Sequence, residues 1–285
     1  MCVKVLTDST SCIDKTVRDQ LNIDIVSLSV EFKDSTYKET ELDNEHFYKM
    51  MAEKGIPKSS QPSIGNLYAA MENIIKKGHA LLCIFISSEL SGTYAAATIA
   101  RDMIIKNYPQ AAIEVIDSRS VCMQLGFAAM AAARAAKAEK SLAAARNAAL
   151  QIMKKNRFLF IPETLEYLEK GGRIGKAQAL IGNFLKIVPI LTVEDGITTV
   201  FKKVRTQKKA LETIVEQTWL DIKNLGLGEI IVHHINCKEK AKELVAKIKE
   251  KIDVDIQILD ISPVIGLHVG PGAIGVVYYT QKDIR

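Results

Sequence analysis

From residue 3 to about residue 117 the chain alternates short β-rich runs with segments of helical pattern, and this alternation is its strongest constraint on fold. Residues 3–6, 25–32, 80–86 and 113–117 read as strands. Between them, residues 13–21, two segments up to Lys77, and residues 95–106 read as helices. Strands separated by helices need crossover connections, which make a parallel sheet covered by helices. Two alanine-rich helical segments follow over residues 121–156, divided at Ser141, a capping-type residue. Alanine at this density favours helix and allows close packing.

After Phe158-Leu159-Phe160-Ile161 the character changes. Residues 187–193 and 197–204 flank Glu194-Asp195-Gly196 and read as a hairpin, with Asp-Gly as its turn. A long helix (208–223), a strand (229–234), a lysine-rich helix (238–251) and strands at 255–259 and 275–280 complete the half. The expected architecture is α/β in two domains. Residues 1–157 form a three-layer α/β/α domain with a parallel sheet, and residues 158–285 a two-layer domain with a mixed sheet and helices on one side. No Pro/Gly/Ser linker marks the boundary.

The turn Ser87-Ser88-Glu89-Leu90-Ser91-Gly92-Thr93-Tyr94 lies between an apolar strand and a helix start. Backbone N–H groups at such a junction lack intrahelical partners and face the positive end of the helix dipole, so an anion can sit there without Lys or Arg. Ser91 and Thr93 add hydroxyls. An ordinary Ser/Thr N-cap is the plainer reading of one such turn. Two further hydroxyl-rich segments, Thr7-Asp8-Ser9-Thr10 and Ser59-Ser60-Gln61-Pro62-Ser63, also fall at a strand exit or a helix start. Strand exits of a parallel sheet share one edge, so a small anion site built from uncharged donors is expected.

Composition sets limits around that expectation. A charged fraction of 25% and a hydrophobic fraction of 48% describe a globular chain, and charges such as Glu89, Arg101, Arg134 and Glu194 interrupt every apolar run. The first residues carry no secretory pattern, and five scattered cysteines (Cys2, Cys12, Cys83, Cys122, Cys237) suggest neither a disulfide framework nor a zinc cluster, so a cytoplasmic setting is expected. The net charge of +5 is mild, its lysine clusters are interleaved with acids, and only 6% of residues are aromatic, which argues against a role on nucleic acid.

Several motifs resemble known chemistry and fail on detail. Gly270-Pro271-Gly272-Ala273-Ile274-Gly275 has dinucleotide-fingerprint spacing, but a strand follows where the mechanism needs a helix. Gly171-Gly172-Arg173-Ile174-Gly175-Lys176 lacks the glycine spacing of a phosphate loop and has Ala177 where a magnesium-ligating hydroxyl belongs. Arg173 reads equally as a partner anchor or a surface arginine at a helix start. His46, His79, His233 and His234 lack metal-ligand partners at suitable spacing and read as structural or solvated. His268 stands beside the Gly270 turn, as a donor to a carboxylate or a holder of a serine hydroxyl. A hydrolase using Ser91 and His268 is the enzyme alternative, with Asp8 as its one nameable orienting acid; no Gly-x-Ser-x-Gly elbow occurs.

The ordered set Thr7-Asp8-Ser9-Thr10, Ser59 to Ser63, Ser91-Gly92-Thr93-Tyr94, Glu166 to Ile174, Lys203-Val204-Arg205-Thr206 and His268 to Gly272 resembles the DegV family along the whole chain. That resemblance implies a fatty-acid-binding protein with no catalytic residues, no metal and no cofactor, its ligand lying between an α/β domain and a smaller mixed-sheet domain. By the same resemblance Ser59 and Ser91 hold the carboxylate, His268 completes the hydrogen-bond network, and Ser60, Gly92, Thr93 and Gly270 belong to the ligand site. Arg173 and Arg205 correspond to arginines that face a separate ATP-dependent fatty acid kinase, a link to phospholipid metabolism that also leaves room for transient contact with a membrane surface. A carrier or sensor without a kinase partner is the remaining alternative. Ser59 stands where the family often has threonine, Gly175 where it commonly has serine, and Val188 where a basic residue is frequent.

Overall fold

The computed structural model describes residues 1–181 and 187–284. They fall into two compact units, residues 1–41 with 59–153, and residues 42–58 with 154 onward. In chain order the elements are β1 (Val3–Asp8), α1 (Lys15–Leu21), β2 (Ile23–Val26), β3 (Ser29–Phe32), β4 (Ser35–Lys38), α2 (Asn44–Lys54), β5 (Lys58–Ser60), α3 (Ile64–Lys76), β6 (Ala80–Phe85), α4 (Thr93–Asn107), β7 (Ile113–Asp117), α5 (Met123–Lys137) and α6 (Leu142–Lys155). Then come β8 (Asn156–Ile161), α7 (Glu166–Lys170), β9 (Val188–Glu194), β10 (Ile197–Val204), α8 (Gln207–Leu225), β11 (Leu227–His234), α9 (Lys238–Lys249), β12 (Gln257–Asp260), α10 (Pro263–Val269) and β13 (Ile274–Thr280).

The first unit is built on a four-stranded sheet ordered β2-β1-β6-β7 in which every neighbouring pair is parallel. On one face Leu6, Val26, Leu81, Cys83 and Phe85 pack against Leu67, Met71 and Ile74 of α3 and Ala96, Ala97, Ala100 and Ile104 of α4. Burial of each larger side chain contributes about 1.5–3 kcal/mol. Helix α5 packs on β1, β2 and β6 from outside that cluster and covers the opposite face. Its buried Gly126, Ala128, Ala129, Ala132 and Ala133 allow the close approach. The outcome is the expected three-layer arrangement.

One expected strand divides. Residues 25–32 are not continuous: β2 stops at Val26 in the parallel sheet, and β3 begins at Ser29 in a separate three-stranded sheet ordered β4-β3-β5. The break is a matter of hydrogen bonding. Leu28 N–H donates to Ser9 Oγ at 3.0 Å, Leu28 O accepts from Glu39 N at 2.9 Å, and Ser27 Oγ accepts from Thr40 N at 3.2 Å. These partners turn the chain out of the sheet.

The second unit contains a six-stranded sheet ordered β10-β9-β8-β13-β11-β12, parallel only between β11 and β12. Leu159, Ile161, Ile190, Val232, Val276 and Tyr278 meet Ala210, Ile214 and Val215 of α8 and Ala241, Leu244 and Ile248 of α9. Arg157 Nε and Tyr278 Oη both donate to Asp221 Oδ2 at 2.7 Å, fastening α8 to β8 and β13. Asp195 and Gly196 take φ of 53° and 84°, as a two-residue hairpin turn requires. Helix α2 also belongs here, since Asn44 Nδ2 donates to Ile261 O at 3.3 Å and the Tyr48 hydroxyl occupies the space a Cβ would need at Gly266 of α10. A single chain break at residues 157–158 makes no provision for that crossing segment.

Candidate functional site

Within the first unit, the parallel sheet brings the hydroxyl-rich turns after β1 and β6 to one edge. Strands β1 and β6 are hydrogen-bonded neighbours, and Asp8 Oδ2 accepts from Ile86 N at 2.8 Å, tying the two exits together. Asp8 Oδ1 accepts from Thr10 N at 2.9 Å and from the Thr10 hydroxyl. Burial raises the Asp8 pKa, while the Thr10 and Ile86 donors act to lower it. With Thr7, Asp8, Thr10 and Ser11 wholly buried, this turn is an internal latch.

The Ser87 to Thr93 turn is arranged differently. Ser87 O accepts from Leu90 N and Ser91 N, both at 3.0 Å, which curls the chain so that Ser91 stands just ahead of α4. Ser91 Oγ lies 2.9 Å from Thr93 Oγ1 and accepts from Thr93 N at 3.3 Å. Gly92 is the N-cap residue and supplies no side-chain cap, so the first N–H groups of the fifteen-residue α4 are not answered from that position. A Cβ at position 92 would come within 2.0 Å of Gln61 Oε1, so the Ser59-Ser60-Gln61 segment lies directly against the turn. Ser59 and Ser60 are half-buried at the end of β5, and Ser63 caps α3 through a 3.1 Å bond from Asn66 N. The structure therefore joins Ser91, Gly92 and Thr93 in one turn and sets Gln61, which follows Ser59 and Ser60, against it. This group combines hydroxyls, backbone N–H and the positive end of a helix, which is the chemistry of a carboxylate or phosphate site.

Within the second unit, His268 lies on α10 rather than in a loop. Ser262 and Pro263 open that helix, and Gly270 closes it at φ 89°. A Cβ on Gly171 would come within 2.2 Å of His268 Nδ1, and one on Gly270 within 2.3 Å of the Tyr167 ring, so α7 and its following turn interlock with α10. Arg173 Nη1 donates to Gly171 O at 2.8 Å, placing the guanidinium on the same turn. Burial, and after it the Arg173 charge, holds the His268 pKa down at about 4. The imidazole is neutral at physiological pH, and its N–H is a hydrogen-bond donor without a second charge.

The two arginines differ in setting. Arg205 is exposed between β10 and the Thr206 N-cap of α8, whereas Arg173 is half-buried beside His268. Gly175 has φ 53°, and a Cβ there would stand 2.4 Å from Thr198 O, so the 171–175 turn approaches β10 more closely than serine allows. Val188 opens β9 opposite Val204 and packs on the apolar cluster under α8, a position with no use for a basic side chain.

Gly270 to Gly275 leads into β13, not a helix, so no dinucleotide fold follows it. Both carboxylate oxygens of Asp8 are already engaged inside the first unit, which removes it as the orienting acid of a Ser/His pair. Among the described residues no group of three or more His, Cys, Asp or Glu is placed to hold a metal ion, and no helix is long and apolar enough to cross a membrane. Gln61 was not among the sequence candidates. Its role as the neighbour of Gly92 depends on a tertiary contact that no local motif encodes.

A family model described as "Uncharacterised protein, DegV family" matches residues 2–281. A DegV domain-containing protein of Clostridium acetobutylicum is 60% identical over 285 residues, covering 100% of each chain. Among solved structures, DegV of Bacillus subtilis, described as a fatty acid binding protein, is 34% identical, with a TM-score of 0.88 over 98% of this chain and 99% of its own. A DegV family protein from Thermus thermophilus, described by its fatty acid binding, is 25% identical with a TM-score of 0.86, over 98% of this chain and 100% of its own. On the full-length family match and the 60% identity, the chain belongs to the DegV family.

Proposed function

We propose that this protein binds one long-chain fatty acid, holds its carboxylate at the start of α4, and presents that carboxylate to a separate ATP-dependent fatty acid kinase. The observation that carries the reading is the pair of Ser91 and Thr93 hydroxyls at a helix N-terminus whose N-cap is glycine, with Gln61 of the Ser59 to Ser63 segment packed against it. Burying a carboxylate without partners is costly, and this group offers several neutral donors. Neutral donors keep the oxygens nucleophilic, whereas a bound lysine or metal would tie up their charge. The tail contributes about 0.8 kcal/mol per buried methylene, enough for retention through purification. The fatty-acid-binding relatives support the ligand class.

His268 and Gly270 are assigned to the same ligand, with the neutral imidazole donating to the carboxylate network. Ser91 Oγ has Thr93 Oγ1 as its partner, an arrangement suited to anion binding rather than to a nucleophile. Arg205, exposed, and Arg173, half-buried on the His268 turn, are assigned to the kinase partner, because a guanidinium fork suits a carboxylate or phosphate. Five cysteines present as free thiols accord with work in a reducing cytoplasm.

Displacement of a fluorescent fatty acid from wild type, Ser91→Ala, His268→Gln and the double variant tests the ligand site. Loss of a hydrogen bond to a charged carboxylate predicts weakening by about 1.5–3 kcal/mol for Ser91→Ala. If both groups serve one carboxylate, the two losses are non-additive. Wild-type affinity in Ser91→Ala would overturn the assignment, and stable acylation of Ser91 by a serine-directed reagent would favour the hydrolase.

A further inference from the structure

We propose that the second unit carries a site for an organic phosphate monoester, a sugar phosphate or a nucleoside monophosphate, in a cavity where α9 begins. Strand β11, helix α9 and strand β12 form a β-α-β unit around the one parallel pair of that sheet. Ligands of parallel α/β units settle outside the carboxyl ends of the strands, where the next helix starts. A cavity of about 660 Å³ lies there, with Tyr48 and Lys49 of α2 on one wall and His234, Asn236, Lys238 and Asp260 on the other. None of these residues is among those assigned to the fatty acid or the kinase.

His234 is the side chain that points to a ligand. It is 4% exposed, ends β11, and stands in register with Asp260, the last residue of β12. Its Nδ1 lies 2.8 Å from Asp260 Oδ1, and Cys237 N is 3.4 Å from the same nitrogen. The shorter contact is the Nδ1 proton donated to the carboxylate, which fixes the ring. Nε2 is left without a partner among the described residues, on a ring that lines the cavity. From there it accepts from a ligand hydroxyl while the ring is neutral, and donates to a phosphate oxygen once the ring is protonated.

Helix α9 adds the anion-binding donors. No side chain caps this twelve-residue helix, and its first N–H to bond back is that of Ala241, to Cys237 O at 3.3 Å. The N–H groups of Lys238, Glu239 and Lys240 are therefore open at the positive end of the helix. The turn that presents them is fixed in place. Asn236 takes φ 50°, Ile235 N donates to Ala273 O at 2.9 Å and Ile235 O accepts from Gly272 N at 2.8 Å, and Cys237 Sγ donates to Ala273 O at 3.3 Å. Both carboxylates of the cavity are engaged, Glu45 by Lys49 at 2.8 Å and Asp260 by His234, while Lys238 has no carboxylate partner among the described residues. Three N–H groups, an ammonium and an imidazole are more donors than a carboxylate's two oxygens use, and they suit the oxygens of a phosphate. The cavity has the volume of a small-molecule pocket rather than of a lone ion, which leaves room for a polar body beside Tyr48 and the amides of Asn44 and Asn236.

The test titrates the isotope-labelled full-length protein with ribose 5-phosphate, adenosine monophosphate, ribose, adenosine and inorganic phosphate, each to millimolar concentration, following backbone amides and histidine rings by NMR. Saturable shifts of the Lys238, Glu239 and Lys240 amides and of the His234 ring are expected with a phosphate ester and not with ribose or adenosine. A response to both esters assigns the site to sugar phosphates, and a response to adenosine monophosphate alone assigns it to nucleotides. Lys238→Glu, at an exposed position, should leave the melting temperature unchanged and weaken ester binding about tenfold or more. Absence of saturable shifts with either ester, or unchanged affinity in Lys238→Glu, would overturn the proposal. So would inorganic phosphate binding as tightly as the esters, which would make this an adventitious ion only.

Discussion

Lowering the pH from about 7 to about 5 is expected to remove roughly 2 kcal/mol of stability through His233 alone. His233 is wholly buried in β11, edge-on to the Phe158 ring with centroids 6.0 Å apart, and its Nδ1 lies 3.3 Å from Leu259 O. Burial dominates the bond to that carbonyl and lowers the pKa from 6.5 to about 4. The folded state therefore refuses a proton that the unfolded chain accepts. Stability from this group is complete above pH 6.5 and drains away as pH falls from 6.5 toward 4. The lowering from 6.5 to about 4 corresponds to roughly 3 kcal/mol in the limit, of which about 2 is lost by pH 5, where most carboxylates are still ionised. His268, also lowered to about 4 but partly exposed, adds a smaller share with the same sign. Urea unfolding at pH 7, 6 and 5 would measure the loss in wild type and in His233→Phe. The variant starts less stable, because Leu259 O loses its partner, but its dependence on pH should be shallower. Equal slopes in the two proteins would refute the reasoning.

Gly175→Ser, which restores the residue common in the family, should destabilise this chain by about 1–3 kcal/mol in thermal unfolding, because its backbone is left-handed and Thr198 O occupies the Cβ position; an unchanged melting temperature would contradict that account. Arg173→Ala should raise the His268 pKa from about 4, read by NMR titration of the imidazole, since the guanidinium charge is one cause of its depression. Arg173→Ala and Arg205→Ala should both keep bound lipid while losing ATP-dependent acyl-phosphate formation with the cognate kinase; loss of lipid with kinase-coupled turnover retained on excess fatty acid would place the arginines in the pocket.

Much of the fold is legible because its signals are local. Short apolar runs mark β1 and β6, helical pattern marks α4 and α8, and Asp195-Gly196 specifies its own turn geometry. The shared edge of the turns after β1 and β6 is legible too, because neighbouring parallel strands exit on one edge. What escaped was short or long-range. Helix α10 has only seven residues, so the sequence flags the Gly270 turn beside His268 but not the helix before it. Strands β3 and β4 have four residues each and join through Lys33-Asp34, with no glycine to flag a hairpin. The contact of Gln61 with Gly92 exists only through tertiary packing.

The fatty-acid assignment is most directly tested by mass spectrometry of the purified protein, native and denatured, with the organic extract identified alongside. The account predicts a native mass exceeding the denatured mass by one long-chain fatty acid per chain, with that acid in the extract and a diminished fraction retained by Ser91→Ala. A native mass equal to the denatured one after incubation with fatty acid, or stoichiometric nucleotide or metal in place of lipid, would contradict it.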